Sequence, residues 1–274
     1  MESIYYKKID YFLDLCKNFI SKENIVLIEK EVKAILKNNK ENKDITLIQN
    51  QAKIWYEELA KNNKAYFLYN TEIYLAEVWA CWQVYSKKYI YNLDKAFIKE
   101  NNIKTNITIK EHFEKINTIL DVGNGLGLSS IYFKEIFPNA EIIGTNIQGS
   151  LQDKFMGYLN KDNIFNLKYD IPNKEIDLLF ASEYFEHFEK PIETLNEILI
   201  KNNPKKLLIA NSFGTKAVGH FIEYKYQNNL YSGKEISKIF NNHLRKKGYK
   251  KINTSLWNNR PSYWVLSENK NSLF

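Results

Sequence analysis

Apolar residues in the first part of the chain recur every three or four positions, the spacing that places them on one face of an α-helix. Two such stripes lie within residues 2–38, a third lies at about 44–62 and a fourth at about 71–100. There is no glycine before Gly123 and no proline before Pro138, which suits a helical region with few sharp turns. The pattern therefore predicts four helices before the first strand.

The fourth helical stripe is rich in aromatic residues. Its members, spaced for one face, are Ala76, Trp79, Trp82, Ser86 and Tyr89. A packed core between helices and a stacking platform for a base or cofactor both fit this composition, and we favour the core.

The pattern changes at Asn117, where short β-rich runs begin to alternate with helical segments. The predicted strands are Thr118–Val122, Glu141–Thr145, Phe165–Tyr169, Ile176–Ala181, Lys206–Ala210, Lys251–Leu256 and Tyr263–Leu266. The predicted helices lie at about 127–136, 150–160, 190–201 and 233–247. Strand–helix alternation implies right-handed crossovers and a mostly parallel, twisted sheet with helices on both faces. The short link between the last two strands predicts an antiparallel C-terminal hairpin.

These patterns place the chain in the α/β class, with two parts. Residues 1–116 form an all-helical region, and residues 117–274 form the domain that contains the sheet. We expect the helices to cover the carboxyl edge of the sheet.

The composition excludes several other classes of protein. Hydrophobic residues make up 44% of the chain, enough for a core, but no window approaches the ~18 consecutive apolar residues of a membrane span. The first eight residues lack the apolar stretch of a secretory signal. Two cysteines, Cys16 and Cys81, do not make a disulfide framework. A cytoplasmic protein with no membrane partner is the simplest account.

The net charge of +7 raises the question of nucleic acid as a partner. The charge is spread evenly, with 19 lysines and 16 acids in residues 1–116 and 20 basic and 16 acidic residues in the rest. Only Arg245 and Arg260 are arginines, the residue type that most often reads guanine. A small-molecule substrate is therefore favoured, and nucleic acid remains the alternative.

A glycine-rich turn follows the first predicted strand. The segment 119–129 reads ILDVGNGLGLS, a buried strand, a turn and the start of a helix. Gly123 and Gly125 allow a tight turn and a close approach of backbone to a ligand, and Gly127 allows the helix to pack close to the strand. The spacing D-x-G-x-G-x-G differs from the G-x-G-x-x-G of dinucleotide-binding folds.

This turn resembles the first motif of the class I S-adenosylmethionine-dependent methyltransferase family, and the resemblance covers roughly residues 117–267. It implies a Rossmann-like fold with S-adenosylmethionine as the cofactor. The positions that it assigns to cofactor binding are Asp121, Gly123, Asn124, Gly125, Gly127, Asn146, Asp170 and Glu183.

Three of these positions have individual roles in the family. Asp121 matches the acid that contacts the methionine end of the cofactor, and Asp170 matches the contact to the adenine amine. A turn residue before Pro172 is an equally good interpretation of Asp170. Asn146 stands where the family has an acid that binds the ribose hydroxyls, so this sequence lacks charge assistance at that position.

A cluster of acids and a histidine follows the fourth predicted strand. Glu183, Glu186 and His187 stand at i, i+3 and i+4, which places them on one face of a helical turn. The Glu-x-x-Glu-His segment resembles methyltransferases of the ubiquinone-biosynthesis type. It also resembles, more weakly, the metal-binding segment of small-RNA 3′-terminal 2′-O-methyltransferases, which have a further histidine beyond the fifth strand, where this chain has His220.

The catalytic candidates are therefore His187, His220, Glu183 and Glu186, with a histidine as the base. A divalent metal on the same four residues is the alternative, and it is not favoured because the Glu-His pair is widespread in the family. Oxygen and nitrogen ligands of this kind suit Mg²⁺ or Mn²⁺.

Substrate contacts are expected from two other places. The segment 212–232 is long and aromatic, which is typical of a substrate lid and includes Tyr224; a surface insertion is the alternative. Arg260, near the end of the C-terminal hairpin link, is a candidate for an anionic substrate group, with a plain surface role as the alternative. In related enzymes, N-terminal helices form the substrate pocket or a dimer surface. We therefore expect Trp79 or Tyr85 at the pocket or its wall, and a homodimer is a further possibility.

These observations favour a methyltransferase that acts on an oxygen or nitrogen of a small polar or sugar-type acceptor. A metal-assisted RNA or nucleotide 2′-O-methyltransferase is the second hypothesis. A nucleotide-binding module without catalysis is the third, and Asn146 is the residue that points to it.

Overall fold

The computed structural model describes residues 9–37, 47–83, 116–252 and 261–267. Helices occupy the N-terminal region, as the periodicity predicts. They are α1 (Ile9–Cys16), α2 (Lys22–Lys37), α3 (Leu47–Leu59) and α4 (Glu72–Cys81), with a 3-10 turn at Tyr66–Asn70 before α4. The side chain of Thr71 caps α4 by accepting a hydrogen bond from the backbone nitrogen of Tyr74. The remainder of the predicted fourth helix, with Tyr85, lies outside the described residues.

A seven-stranded sheet forms the second part of the molecule. Its strands are β1 (Thr118–Val122), β2 (Glu141–Thr145), β3 (Asn166–Lys168), β4 (Leu178–Ser182), β5 (Lys206–Ala210), β8 (Tyr249–Ile252) and β9 (Ser262–Leu266). The order across the sheet is β3-β2-β1-β4-β5-β9-β8. The first five strands are parallel, and β9 pairs antiparallel with both β5 and β8. The Rossmann-like α/β prediction and the antiparallel C-terminal pair are confirmed.

Alternate residues of the central strands pack into two separate hydrophobic cores, because successive side chains in a strand point to opposite faces of the sheet. Ile119 of β1 belongs to one hydrophobic cluster and Leu120 belongs to the other. Four helices follow the strands: α5 (Leu128–Ile136), α6 (Leu151–Leu159), α7 (Pro191–Asn202) and α8 (Gly233–Lys246). Helices α5 and α6 pack on the first face, and α7 and α8 pack on the second. Burial on both faces explains why the central strands are continuously apolar.

The N-terminal helices extend both cores. Phe12 of α1 stacks on Trp79 of α4 with ring centroids 5.0 Å apart, and it also contacts Phe155 of α6. Trp55 of α3 is fully buried in the cluster on the other face. The expectation of a pocket-wall contact is not supported for Trp79 itself, which packs into the helical core and does not line the cavity described below. The division of the chain at residue 116 stays a prediction.

The long segment after β5 contains structure that the sequence pattern did not predict. Strands β6 (Glu223–Tyr226) and β7 (Asn229–Ser232) form an antiparallel hairpin. Its two turn residues, Gln227 and Asn228, both have positive φ, which is the conformation of a tight two-residue hairpin turn. Helix α8 then starts at once, with Ser232 and Glu235 forming a capping box. None of the described helices is long and apolar enough to cross a bilayer.

Candidate functional site

A cavity of about 1530 Å³ lies at the carboxyl edge of the parallel strands. Its wall includes residues that follow β1, β2, β4 and β5, and residues from α4 and the 3-10 turn before it. The chain leaves β1 and β4, which are neighbours in the sheet, toward opposite faces, so their ends form the crevice where open α/β sheets bind ligands.

The glycine-rich turn after β1 forms one wall of this cavity. Gly123 and Gly125 both line it, and they have φ values of 61° and 55°, a left-handed conformation that side chains rarely adopt. A Cβ atom added to Gly125 would lie 3.0 Å from Cγ1 of Val78 on α4. The backbone nitrogen of Gly123 donates to the Thr145 hydroxyl at 3.1 Å, which fixes the turn to the end of β2. Glycine is therefore required here for both conformation and space.

Gly127 has a different role from the other two glycines. It precedes α5 with φ of 76°, and an added Cβ would lie 2.8 Å from the Phe165 ring. It does not line the cavity. Its function in this structure is close packing of α5, so the prediction that it binds cofactor is not supported by its position.

Asp121 lies at the end of β1, beneath the turn, and is 1% exposed. One of its carboxylate oxygens accepts hydrogen bonds from the hydroxyls of Ser129, at 2.6 Å, and Ser130, at 2.7 Å. Burial raises the pKa of Asp121 to about 7, although the two serine hydroxyls oppose that rise. Asp121 also lines the cavity.

Two asparagines tie the glycine turn to the neighbouring strand. Asn124 donates to the Ser130 hydroxyl at 3.0 Å and packs against Gly144, where an added Cβ would lie 2.2 Å from the Asn124 amide. Asn146 donates to the Gly125 carbonyl at 2.6 Å, and its side-chain oxygen accepts from the Ile147 backbone nitrogen. Both asparagines line the cavity, and Asn146 occupies the wall position at the end of β2.

Asp170 follows β3 and is exposed at the rim of the cavity. It lies after Tyr169, whose hydroxyl donates to Asp153 at 3.2 Å. The position at the third strand end agrees with the sequence prediction, and the adenine contact stays a prediction.

The acid cluster after β4 is organised around one serine. Glu186 is fully buried, and its Oε1 accepts hydrogen bonds from the backbone nitrogen of Ser212 at 2.7 Å and from the Ser212 hydroxyl at 2.6 Å. The Ser212 oxygen also lies within hydrogen-bond distance of a Glu183 carboxylate oxygen, so the two carboxylates share its single proton. Glu183 has a φ of 51°, an uncommon conformation for a residue with a side chain, and strain of this kind often marks functional sites. Ser212, which follows β5, was missed, although its place at the neighbouring strand end is a usable signal.

His220 lies beside this cluster and is 6% exposed. Its Nδ1 is 3.0 Å from the Thr215 carbonyl oxygen, which can only accept a hydrogen bond. In the neutral ring, Nδ1 therefore holds the proton and Nε2 has the free lone pair. Burial lowers the pKa of His220, and the charge of Glu183 opposes that shift. This tautomer is suited to accept a proton or to bind a metal.

His187 is placed differently. Its Nδ1 lies 3.0 Å from the hydroxyl of Tyr69, a residue of the 3-10 turn before α4, and its ring meets that of His220 edge to face at 4.6 Å. Burial, together with His220, lowers the pKa of His187, and backbone hydrogen bonds to Gly219 and Glu183 oppose the shift. An added Cβ on Gly219 would lie 1.9 Å from the Tyr69 hydroxyl. Tyr69 was missed because nothing in its local sequence links it to a histidine 118 residues away.

Three of the four candidate metal ligands converge. A carboxylate oxygen from each of Glu183 and Glu186 and a ring nitrogen of His220 lie within 4.8 Å of one another. The second carboxylate oxygen of Glu186 is buried with no hydrogen-bond partner among the described residues. Oxygen and imidazole donors at this spacing fit a small divalent ion.

The predicted substrate contacts have mixed outcomes. The first half of the segment 212–232 lines the cavity, including Thr215 and Lys216. Tyr224, in the second half, is fully buried, packs on Phe213 and does not reach the cavity wall, so a substrate contact is not supported. Arg260 lies outside the described residues.

Comparison with known proteins gives only distant structural similarity. No protein-family model matches the chain, and no curated protein matches its sequence. A SAM-dependent methyltransferase from Aquifex aeolicus aligns over 66% of this chain and 91% of its own, with 15% identity and a TM-score of 0.40. The S-adenosylmethionine-dependent methyltransferase SibL aligns over 89% and 74%, with 10% identity and a TM-score of 0.44. The methyltransferase domain of bacterial CtHen1-CN aligns over 64% and 99%, with 14% identity and a TM-score of 0.40. At these values the similarity assigns neither a family nor an activity.

Proposed function

We propose that this chain is an S-adenosylmethionine-dependent methyltransferase that acts on an oxygen or nitrogen of a small polar acceptor. The observation that carries the proposal is the arrangement of two features on one cavity. A glycine turn with left-handed backbone follows β1, and an acid–histidine cluster follows β4, its neighbour in the sheet. A ligand held by the turn therefore lies beside groups that can move a proton.

The residues of the cofactor wall fit S-adenosylmethionine. Gly123 and Gly125 line the cavity without side chains, so a ligand can approach the backbone of the turn. Asp121, Asn146 and Asp170 lie at three successive strand ends of the same wall. We assign the methionine end to Asp121, the ribose to Asn146 and the adenine to Asp170. When bound, the cofactor supplies an electrophilic methyl group on a sulfonium.

The acid–histidine cluster activates and positions the acceptor. His220, with a free lone pair on Nε2, accepts the proton that the acceptor hydroxyl or amine loses. Glu183, which also lines the cavity, orients the acceptor by accepting a hydrogen bond from it. Ser212, which is anchored on Glu186, holds Glu183 in place. His187, engaged by Tyr69, is the weaker candidate for the base.

The convergence of Glu183, Glu186 and His220 favours a second candidate function, metal-assisted 2′-O-methylation of a ribose. A bound Mg²⁺ or Mn²⁺ would lower the pKa of a coordinated hydroxyl. In that case the three side chains act as ligands, and RNA or a nucleotide becomes the acceptor class.

The third hypothesis, a binding module without turnover, predicts cofactor affinity alone. The amide of Asn146 is engaged with the Gly125 carbonyl, so contact with a ribose hydroxyl requires that hydrogen bond to be shared or exchanged. The buried proton-accepting cluster argues against this hypothesis, because a module that only binds has no use for it.

All three hypotheses require that the protein binds S-adenosylmethionine. Calorimetric titration tests this binding, with ATP and NAD as control nucleotides. Specific binding of S-adenosylmethionine is expected, and its absence would refute the proposal. Release of S-adenosylhomocysteine is then measured with polar metabolites and with short RNA, before and after chelation with EDTA. Turnover that survives chelation supports the primary proposal. Turnover that is lost and is restored by Mn²⁺ or Mg²⁺ supports the metal-assisted one, and binding without turnover supports the module.

A further inference from the structure

One carboxylate on the cavity wall has no role in the arrangement described so far. Glu77 belongs to α4, and its side chain lines the cavity. The next residue, Val78, lies against Gly125. Burial raises the pKa of the Cys81 thiol, one helical turn after Glu77, and the charges of Glu77 and Glu183 add to that rise. Glu77 is therefore near the ends of β1 and β4, where the glycine turn and the acid cluster meet.

No cation among the described residues neutralises Glu77. Its Oε2 is buried and has no hydrogen-bond partner within the described residues, where no salt bridge to Glu77 is formed either. The lysines on the cavity wall are directed elsewhere: Lys64 pairs with Glu189, Lys190 pairs with Glu193, and Lys216 lies over the Tyr56 ring. Burial raises the pKa of Glu77 to about 7. A buried carboxylate without a partner is costly, and a ligand group that pairs with it would offset that cost.

We propose that Glu77 recognises a primary ammonium group of a ligand bound in this cavity. An ammonium group matches a desolvated carboxylate in charge and offers three donors to its free oxygens. The inference rests on the proposed methyltransferase function, which gives the ammonium two sources. One is the amino-acid end of S-adenosylmethionine, and the other is an amine on the methyl acceptor.

The first arm of the test separates these sources by binding measurements. S-adenosylhomocysteine has the amino-acid end, and 5′-methylthioadenosine lacks it. If Glu77 holds the cofactor ammonium, Glu77→Gln weakens binding of S-adenosylhomocysteine about tenfold or more and leaves 5′-methylthioadenosine unchanged. Glu77→Asp, which keeps the charge, recovers part of the loss. Glu72→Gln on the same helix, whose carboxylate bonds to Asn24, is the matched control and changes neither affinity.

The second arm examines the acceptor side. With the protein saturated by S-adenosylhomocysteine, thermal stabilisation by ethanolamine is compared with that by ethylene glycol, its neutral counterpart. If Glu77 holds an acceptor amine, only ethanolamine stabilises the wild type, and Glu77→Gln removes that effect. Melting curves of the free variants establish that each is folded. Wild-type protein that binds neither adenosine compound refutes the proposed function itself. Normal binding by the wild type, with both arms unchanged by Glu77→Gln, refutes only the role of Glu77.

Discussion

The two walls of the cavity are built in different ways. The wall at β1 and β2 comes from a short stretch of chain: the turn at 123–127 is closed by hydrogen bonds to Thr145 and Asn146. The wall at β4 and β5 is assembled from distant parts of the sequence. Trp55 of α3 donates to the His220 carbonyl at 2.9 Å across 165 positions, and Tyr69 reaches His187 across 118.

This difference separates binding from chemistry. The glycine wall depends on backbone conformation, so it tolerates few substitutions at a handful of positions. The acid–histidine wall depends on the N-terminal helices to hold the segment that contains His220. The Tyr56 hydroxyl also donates to the His220 carbonyl, at 3.1 Å. Changes in the first wall should therefore affect cofactor affinity, and changes in the second should affect turnover.

The largest effect is expected at His220. His220→Ala removes the ring nitrogen that accepts the proton or binds the metal, and kcat should fall by roughly 10²–10⁴ while affinity for S-adenosylmethionine is retained. The measurement is release of S-adenosylhomocysteine with an acceptor identified from the metabolite and RNA panel. His243→Ala is the matched control, because His243 bonds to Asn196 and does not line the cavity. Equal loss in both variants would contradict the role of His220.

Gly125→Val tests the first wall. The new side chain would require a φ of 55° and would meet Val78 at 3.0 Å, so affinity for S-adenosylmethionine should fall on the order of 100-fold. Calorimetry gives the affinity directly. Gly248→Val is the control, because it introduces a side chain at a φ of 90° where the nearest atom, in Leu266, is 3.6 Å away. It should lower the stability of the protein without changing its affinity for S-adenosylmethionine. Unchanged affinity in the Gly125 variant would remove the glycine turn from the binding site.

The same difference decides how much of the molecule can be predicted from its sequence. Apolar periodicity is local, so the strands β1, β2 and β5 were predicted at their observed bounds. The glycine turn is contiguous and was predicted as a tight turn, and the structure adds that its glycines have a left-handed backbone. The contribution of Tyr69 depends on how the helices dock on the sheet, and no local pattern encodes docking. The structure gives no support for a substrate contact by Tyr224. An aromatic residue in a long segment has the same sequence signature on a lid as in the core of a hairpin.

A substitution at Asp121 should change the pH dependence of stability, which tests the buried carboxylate beneath the glycine turn. Its folded-state pKa, about 7, lies above the ordinary value of about 4. Between these two pH values the native state keeps a proton that the unfolded state has released. Stability is therefore lost across that window. Asp121→Asn removes this loss and should stabilise the free protein by roughly 4 kcal/mol at pH 8 but little at pH 4, at about 1.4 kcal/mol for each pKa unit. Urea unfolding of both proteins at the two pH values measures the difference, and a pH-independent difference would contradict the assignment.

Tyr69→Phe gives the smallest effect and tests whether the N-terminal helices support the chemistry of the second wall. Phenylalanine keeps the ring that packs against Gly219 and loses only the hydroxyl that holds His187 at 3.0 Å. We expect kcat to fall by about threefold to tenfold, the effect of one neutral hydrogen bond, while the affinity for S-adenosylmethionine is unchanged.

Tyr249→Phe is the control. It removes another buried hydroxyl, which donates to the Pro204 carbonyl away from the cavity, and it should lower stability without altering kcat. If both variants lower kcat equally, general destabilisation explains the result. A loss of kcat confined to Tyr69→Phe would indicate that the N-terminal helices position a side chain of the acid–histidine wall, because Tyr69 belongs to the turn before α4 and its hydroxyl bonds to His187.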